Sequence, residues 1–353
     1  LPGGGSQPLG AARRGSPTMT IPRYVPVAVL GVLLAAGLIA PLATGETAPG
    51  FWVEVLIGGL MTGVLYALVA LGFVLIFKAS GVFNFAQGAM VLFAALAVAR
   101  LAEHMPVWVA TIAAVLIMVA LAFVVERVVL RPLVNQEAVA LLMATLGITF
   151  FLNGFGQAIW GSDIYEINLG IPREPMMVLD KVFEGGVLVN RDDIAAAVAA
   201  VLLVGALAVF FRRTATGRAL RAVADDHQAA QSIGIPLNRI WIIVWSVAGV
   251  VAIVGGVIWG GKLGVQFSIS QVALKALPVV ILGGFESVPG AIVGGLIIGV
   301  GEKMAEVFLA PPLIKAFDLA GGGIENWFAY VLALLFLLVR PEGLFGERRI
   351  DRV

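Results

Sequence analysis

Apolar runs about as long as a bilayer is thick recur along the whole chain, and they constrain the fold more than any other feature. A spanning helix needs roughly 20 mostly apolar residues, since each adds about 1.5 Å and the hydrocarbon core is about 30 Å thick. Such runs fall at 25–43, 53–77, 83–101, 108–130, 138–160, 194–211 and 239–260. A longer glycine-rich run covers 272–307, and a short one ends the series at 324–339. In lipid every backbone N–H and C=O must be paired within the chain, so these runs fold as helices. Of 353 residues 60% are hydrophobic and 13% charged, against about a quarter charged in a soluble domain. The expected fold is all-α, a polytopic membrane helical bundle.

Positive charge in short loops marks the cytoplasmic side. Arg13, Arg14 and Arg23 place the N-terminus there, as do Lys78, Arg127 and Arg131 for two turns. Arg212, Arg213, Arg218 and Arg221 place the loop 212–238 inside, and Arg340, Arg348, Arg349 and Arg352 do so for the C-terminus. The acid-rich loop 161–193 belongs outside, and Arg100 is a basic residue on the wrong side. These assignments agree only if 272–307 crosses an even number of times, as a broken or re-entrant hairpin turning at 283–290, where Pro289 and several glycines stand. The layout is about nine or ten helical segments with both ends cytoplasmic. Residues 1–22, rich in Gly, Pro, Ser and Arg, read as a disordered tail, with Met19 a candidate start. The transmembrane domain is expected over 23–347, and a cytoplasmic tail over 348–353.

Several chemistries lack their residues. There is no cysteine, and His104 and His227 stand in no metal-ligand spacing. The net charge of +1 supplies no field for nucleic acid. No Ser/His/Asp set and no phosphate loop of GxxxxGK[ST] form is present, so the chain itself is not expected to be an enzyme or to hydrolyse ATP. Charges within the apolar runs are few, among them Glu54, Glu126, Lys275, Glu286, Glu302 and Lys303. Their scarcity argues against proton-coupled transport.

Four features remain. Gly58, Gly59 and Gly63, Gly255, Gly256, Gly260 and Gly261, and Gly290, Gly294, Gly295 and Gly299 let helices approach closely or mark helix breaks beside a pathway. Asn84 and Gln87 lie where a span begins; three apart, they share a helix face and should point at protein or water. Thr145, Thr149, Asn153 and Gln157 recur every fourth residue, a stripe drifting about 40° per step. It is either a pathway wall or helix–helix glue. The loop after Thr214 is too polar to span, yet reads as helical over 218–233, with Gly234 as a stop and Pro236 beyond it. It suits a docking element or a helix lying on the membrane surface.

Taken together, the chain resembles the permeases of leucine/isoleucine/valine ABC importers over about residues 53–347. The resemblance is carried by Leu60-Met-Thr-Gly-Val-Leu-Tyr-Ala-Leu68 with Phe83-Asn-Phe-Ala-Gln-Gly88, by the loop 218–239, by Leu282-Gly-Gly-Phe-Glu-Ser-Val-Pro-Gly-Ala291 and by Arg340-Pro-Glu-Gly-Leu-Phe-Gly346. Gln87 stands where the family commonly has histidine. The resemblance implies a multi-pass subunit of the cell (inner or plasma) membrane. It would pair with a second homologous permease, two ATPase subunits and an extracytoplasmic solute-binding protein. ATP would be bound by the partners, with no cofactor on this chain. The coupling helix would carry Arg218, Arg221, Asp225, Asp226, Ala229, Ala230 and Gly234. Asn84, Gln87, the stripe Thr145, Thr149, Asn153 and Gln157, and the helix breaks at Gly283 and Gly284 would line the substrate path. Branched-chain amino acids are the implied cargo, with urea, short amides and other carboxylates also carried in the family. The competing reading is a stand-alone channel or secondary carrier that needs no ATPase.

Overall fold

Among the described residues, the apolar runs form helices. The computed structural model describes residues 49–81, 83–133, 136–172, 174–183, 186–225, 227–318 and 323–346. The tail at 1–22, the expected first span at 25–43, Asp226 and the tail at 348–353 lie outside the described residues. The first helix, α1 (Pro49–Ser80), is 32 residues long. It is followed by α2 (Gln87–Ala102) and by α3 (Val107–Val125), which continues through a π turn at Glu126–Leu130. Next come α4 (Ala138–Trp160), the antiparallel strands β1 (Pro175–Val178) and β2 (Val187–Asn190), and α5 (Arg191–Arg213). The polar loop forms α6 (Ala215–Asp225) and α7 (His227–Ser232). Then follow α8 (Leu237–Leu263), α9 (Ile269–Gly283), α10 (Val288–Met304), α11 (Ala310–Phe317) and α12 (Ile324–Val339).

Burial sorts these helices into a centre and a rim. The apolar windows of α1 and α8 are 72% and 61% buried, whereas those of α3, α4 and α5 are 22%, 22% and 17% buried. Phe123, Phe150, Phe151, Val201 and Leu202 stand exposed on the rim. In water such a surface would aggregate; in a bilayer it is the solvated face. In α5, Asp192 and Asp193 sit in the first turn and Arg212 and Arg213 in the last, each sign matched to its end of the helix dipole.

The expected hairpin is present: α9 and α10 are bent by 116° across the break at 284–287. α10 returns antiparallel to α1. A Cβ on Gly59 would lie 2.8 Å from Val300 Cα, and one on Gly63 would lie 2.6 Å from the Gly295 carbonyl oxygen. At this crossing the glycines serve backbone-to-backbone packing, which in lipid replaces the missing hydrophobic drive.

The two ends of α1 collect different loops. Near its start, Glu54 accepts from Leu188 N–H at 3.1 Å, and Trp52 stacks on Phe308 at 3.8 Å. Near its end, Trp241 Nε1 donates to the Ala79 carbonyl at 3.1 Å and Lys78 donates to the Glu286 carbonyl at 3.3 Å. The acid-rich loop therefore gathers at one end. The start of α8 and the hairpin turn gather at the other, where the C-terminal segment joins them: Leu344 N–H and Phe345 N–H donate to the carbonyls of Leu282 and Gly283 at 2.8 and 3.1 Å.

Candidate functional site

After α1 the backbone does not start a new helix at once. Gly81 turns the chain at φ 69°. The Asn84 side chain accepts from Ala86 N–H at 3.1 Å, a local turn that competes with helix. Helix α2 begins only at Gln87, whose amide packs against Gly72. Gly72 lies eight residues before the end of α1, so α2 begins about 12 Å inside that end. The chain thus climbs back into the bundle unwound and becomes helical within it. Asn84 precedes the helix, so Asn84 and Gln87 do not share a helical face. Both are fully buried, as amides in such a bundle must be.

Gln87 carries the strongest local signal. Neither atom of its buried amide has a hydrogen-bond partner. Burying such a group unpaired costs about 1–3 kcal/mol, so its retention calls for a reason beyond stability. Asn84 Nδ2 has only a weak acceptor, Met90 Sδ at 3.9 Å.

A cleft of about 310 Å³ adjoins this break, between the start of α2, α4 and α9. Its walls are largely apolar, with Phe73, Phe83, Phe85, Leu146 and Leu277, and its polar groups are Thr149, Asn153, Ser270 and Gln271. Thr145 ties the unwound segment to α4: its hydroxyl accepts from Phe85 N–H at 3.3 Å and donates to the Leu142 carbonyl at 2.9 Å. Thr149 donates to the Thr145 carbonyl at 2.9 Å. Asn153 Oδ1 is buried without a partner. The stripe therefore divides by depth. Thr145, Thr149 and Asn153 turn inward, while Gln157, one turn further along a drifting line, is exposed. Phe83 stacks on Phe73 at 4.8 Å and meets Phe285 edge-on at 6.1 Å, joining the break to the hairpin turn.

Gly283 and Gly284 sit elsewhere. Gly283 packs against Gly290, and a Cβ on Gly284 would lie 2.9 Å from Gly346 N. Gly284 has φ 102°, a conformation open to glycine. Neither lines the cleft. They let the hairpin close and seat the C-terminal segment upon it.

In the polar loop, Thr214 Oγ1 caps α6 by accepting from Gly217 N–H at 3.0 Å. Leu220, Val223 and Ala230 are buried against the bundle, while Arg218, Arg221, Ala229 and Gly234 are exposed. Gly234 has φ 87°, as expected of a helix stop. Ile233 is 75% exposed at the tip. The element has an apolar face anchored by Leu220, Val223 and Ala230 and an exposed face of arginines and small residues.

Sequence reasoning did not find two ion pairs. Lys275 donates to Glu302 at 3.1 Å, joined by the Tyr66 hydroxyl at 3.1 Å. Lys262 pairs with Asp193, holding α8 to α5 beside a cavity of about 490 Å³. For Lys275 and Glu302 the signal was a charge inside an apolar run; the partners in the two pairs, 27 and 69 residues distant, show only in the fold.

A bundle of spanning helices with an unwound, amide-bearing break, an adjoining cleft and a bent hairpin defines a helical membrane permease. The chain belongs to the family described as branched-chain amino acid transport system / permease component, which matches residues 55–340. It is 30% identical over 314 residues to the high-affinity branched-chain amino acid transport system permease protein BraD of Pseudomonas aeruginosa, covering 86% of this chain and 98% of that one. It is 26% identical over 325 residues to the permease protein LivH of Salmonella typhimurium, again covering 86% and 98%.

Proposed function

We propose that this chain is the transmembrane permease subunit of an ABC importer that carries branched-chain amino acids across the cell membrane, powered by separate ATPase subunits. The match over residues 55–340, coextensive with nearly all of the described bundle, carries this reading. The cleft supports it: its size and apolar walls suit a small aliphatic side chain, and its few amides and hydroxyls suit a polar head. In this reading Asn84, Gln87, Thr149 and Asn153 contact the solute on its way, and Thr145 positions the unwound segment. The chain performs no chemistry itself. It pairs with a second permease and receives solute from an extracytoplasmic binding protein.

The exposed face of α6 and α7 docks the ATPases on the cytoplasmic side, the side of both termini. A surface helix anchored by Leu220 and Val223 transmits ATPase closure to the end of α1 and to α8. Charge reversal at Arg218 and Arg221, both exposed, tests this in the assembled complex. The expected result is loss of ATPase co-purification with the permease still inserted and folded. Undiminished co-purification contradicts the docking role of this face; a wild-type permease that holds no ATPase favours a carrier that works alone.

A further inference from the structure

The polar group made by Tyr66, Lys275 and Glu302 belongs neither to the cleft nor to the docking face. Tyr66 is the eighteenth residue of the 32 in α1, so it lies about 26 Å along a helix of about 48 Å, close to the bilayer midplane. Its hydroxyl donates to Glu302 Oε1 at 3.1 Å, and Lys275 Nζ donates to the same oxygen at 3.1 Å. Three helices, α1, α9 and α10, thus bring one anion, one cation and one hydroxyl to the depth where charge is most costly. As a staple, an ion pair here is a poor choice, because apolar residues of similar volume commonly hold a core as well or better. Intramembrane charges of this kind mark solute pathways.

Access is one-sided. The Glu302 side chain is 8% exposed and that of Lys275 is 36% exposed. The exposed part of the Lys275 side chain, its methylene stem included, is the open side of the group, and its ammonium, held on Glu302, needs water or a protein partner there rather than lipid. Next to Tyr66 stands Trp259, its ring 6.0 Å away and nearly parallel. Its indole Nε1 is buried and has no partner. The group therefore combines a carboxylate, an ammonium, a hydroxyl and an idle N–H donor, with no net charge.

We propose that these residues form a midplane binding site for the two charges of a zwitterionic amino acid. This rests on the reading of the chain as an amino-acid importer. The empty site keeps itself neutral by pairing Lys275 with Glu302. A zwitterion exchanges that pair for two: its ammonium goes to Glu302, and its carboxylate to Lys275 with Trp259 Nε1 as a further donor. The total charge is unchanged, so neither state buries an uncompensated ion. An amine or a dicarboxylate leaves one charge unmatched and is rejected.

The test uses the whole transporter in proteoliposomes, with labelled leucine uptake and binding-protein-stimulated ATP hydrolysis read together. Lys275→Met and Glu302→Gln are each expected to lower uptake at least about tenfold, the worth of one charge-assisted hydrogen bond, with stimulated hydrolysis retained. The exchanged pair, Lys275→Glu with Glu302→Lys, is expected to assemble but to leave uptake low, since the two charges then sit in each other's place. Restored uptake in the exchanged pair, or full uptake in the neutral variants, overturns the proposal in favour of a purely structural ion pair. Glu302→Asp covers the case in which those variants fail to assemble: it keeps the charge, withdraws it by one methylene, and overturns the proposal if the half-saturating concentration is unchanged. A wild-type complex that takes up no zwitterionic amino acid overturns the importer reading as well; normal wild-type uptake with unaffected variants overturns this site alone.

Discussion

Gly63→Ala puts one methyl group into the crossing of α1 and α10. The new carbon would stand 2.6 Å from the Gly295 carbonyl oxygen and 2.9 Å from Leu296 Cα. Both are backbone atoms of a helix and cannot rotate aside, so the helices must separate. A gap of roughly 0.5–1 Å forfeits a quarter to a half of the dispersion attraction at each contact it opens. Overpacking of this kind costs about 1–3 kcal/mol. Replacing glycine in a helix by alanine returns about 0.5–1 kcal/mol. The net expectation is a loss of about 1 kcal/mol. Gly205→Ala is the control: on exposed α5, its added carbon would meet nothing within 4 Å, leaving only the gain in helix propensity. Unfolding by SDS titration in bicelles, followed by tryptophan fluorescence, measures both. If Gly63→Ala is as stable as Gly205→Ala, close backbone packing at this crossing is refuted.

Three further outcomes follow from particular contacts. Gln87→Leu removes a buried amide without partners and should raise stability by about 1–3 kcal/mol while lowering solute uptake; a fall in stability with normal uptake would show the amide to be paired and structural. Thr145→Val unties the unwound segment from α4 and should cost about 1 kcal/mol, read as a lower melting temperature in detergent. Asp193→Asn removes the carboxylate that Lys262 pairs with and leaves Asp192 as its nearby countercharge; because the pair is mostly but not fully buried, the expected loss is about 1–3 kcal/mol, weakening at high salt.

The helices were legible wherever an apolar run met a polar boundary, as at Glu137 and Gly161, where α4 begins and ends as expected. The turn at 283–290 was legible through its glycines and Pro289. The start of α2 was misjudged by four residues. Phe83 and Phe85 extend the apolar run on paper, but in space they face the cleft, and the Asn84 side chain claims the Ala86 N–H that a helix would use. The stripe on α4 was legible as a period but not in depth: four-residue spacing drifts, and Gln157 has turned outward by the last step. Gly283 and Gly284 read as breaks, which they are, yet what they break toward is the C-terminal segment. The Tyr66–Lys275–Glu302 group was least legible, because its members meet only once the hairpin has folded back along α1.

The central claim is that this chain is the membrane path of an ATP-driven importer, and uptake measures it most directly. Proteoliposomes would hold the chain with its partner permease and ATPases, with ATP inside and solute-loaded binding protein outside. The account predicts accumulation of labelled leucine above its external concentration, abolished when ATP is replaced by ADP. Leucine that merely equilibrates, at the same rate with or without ATP, would contradict it.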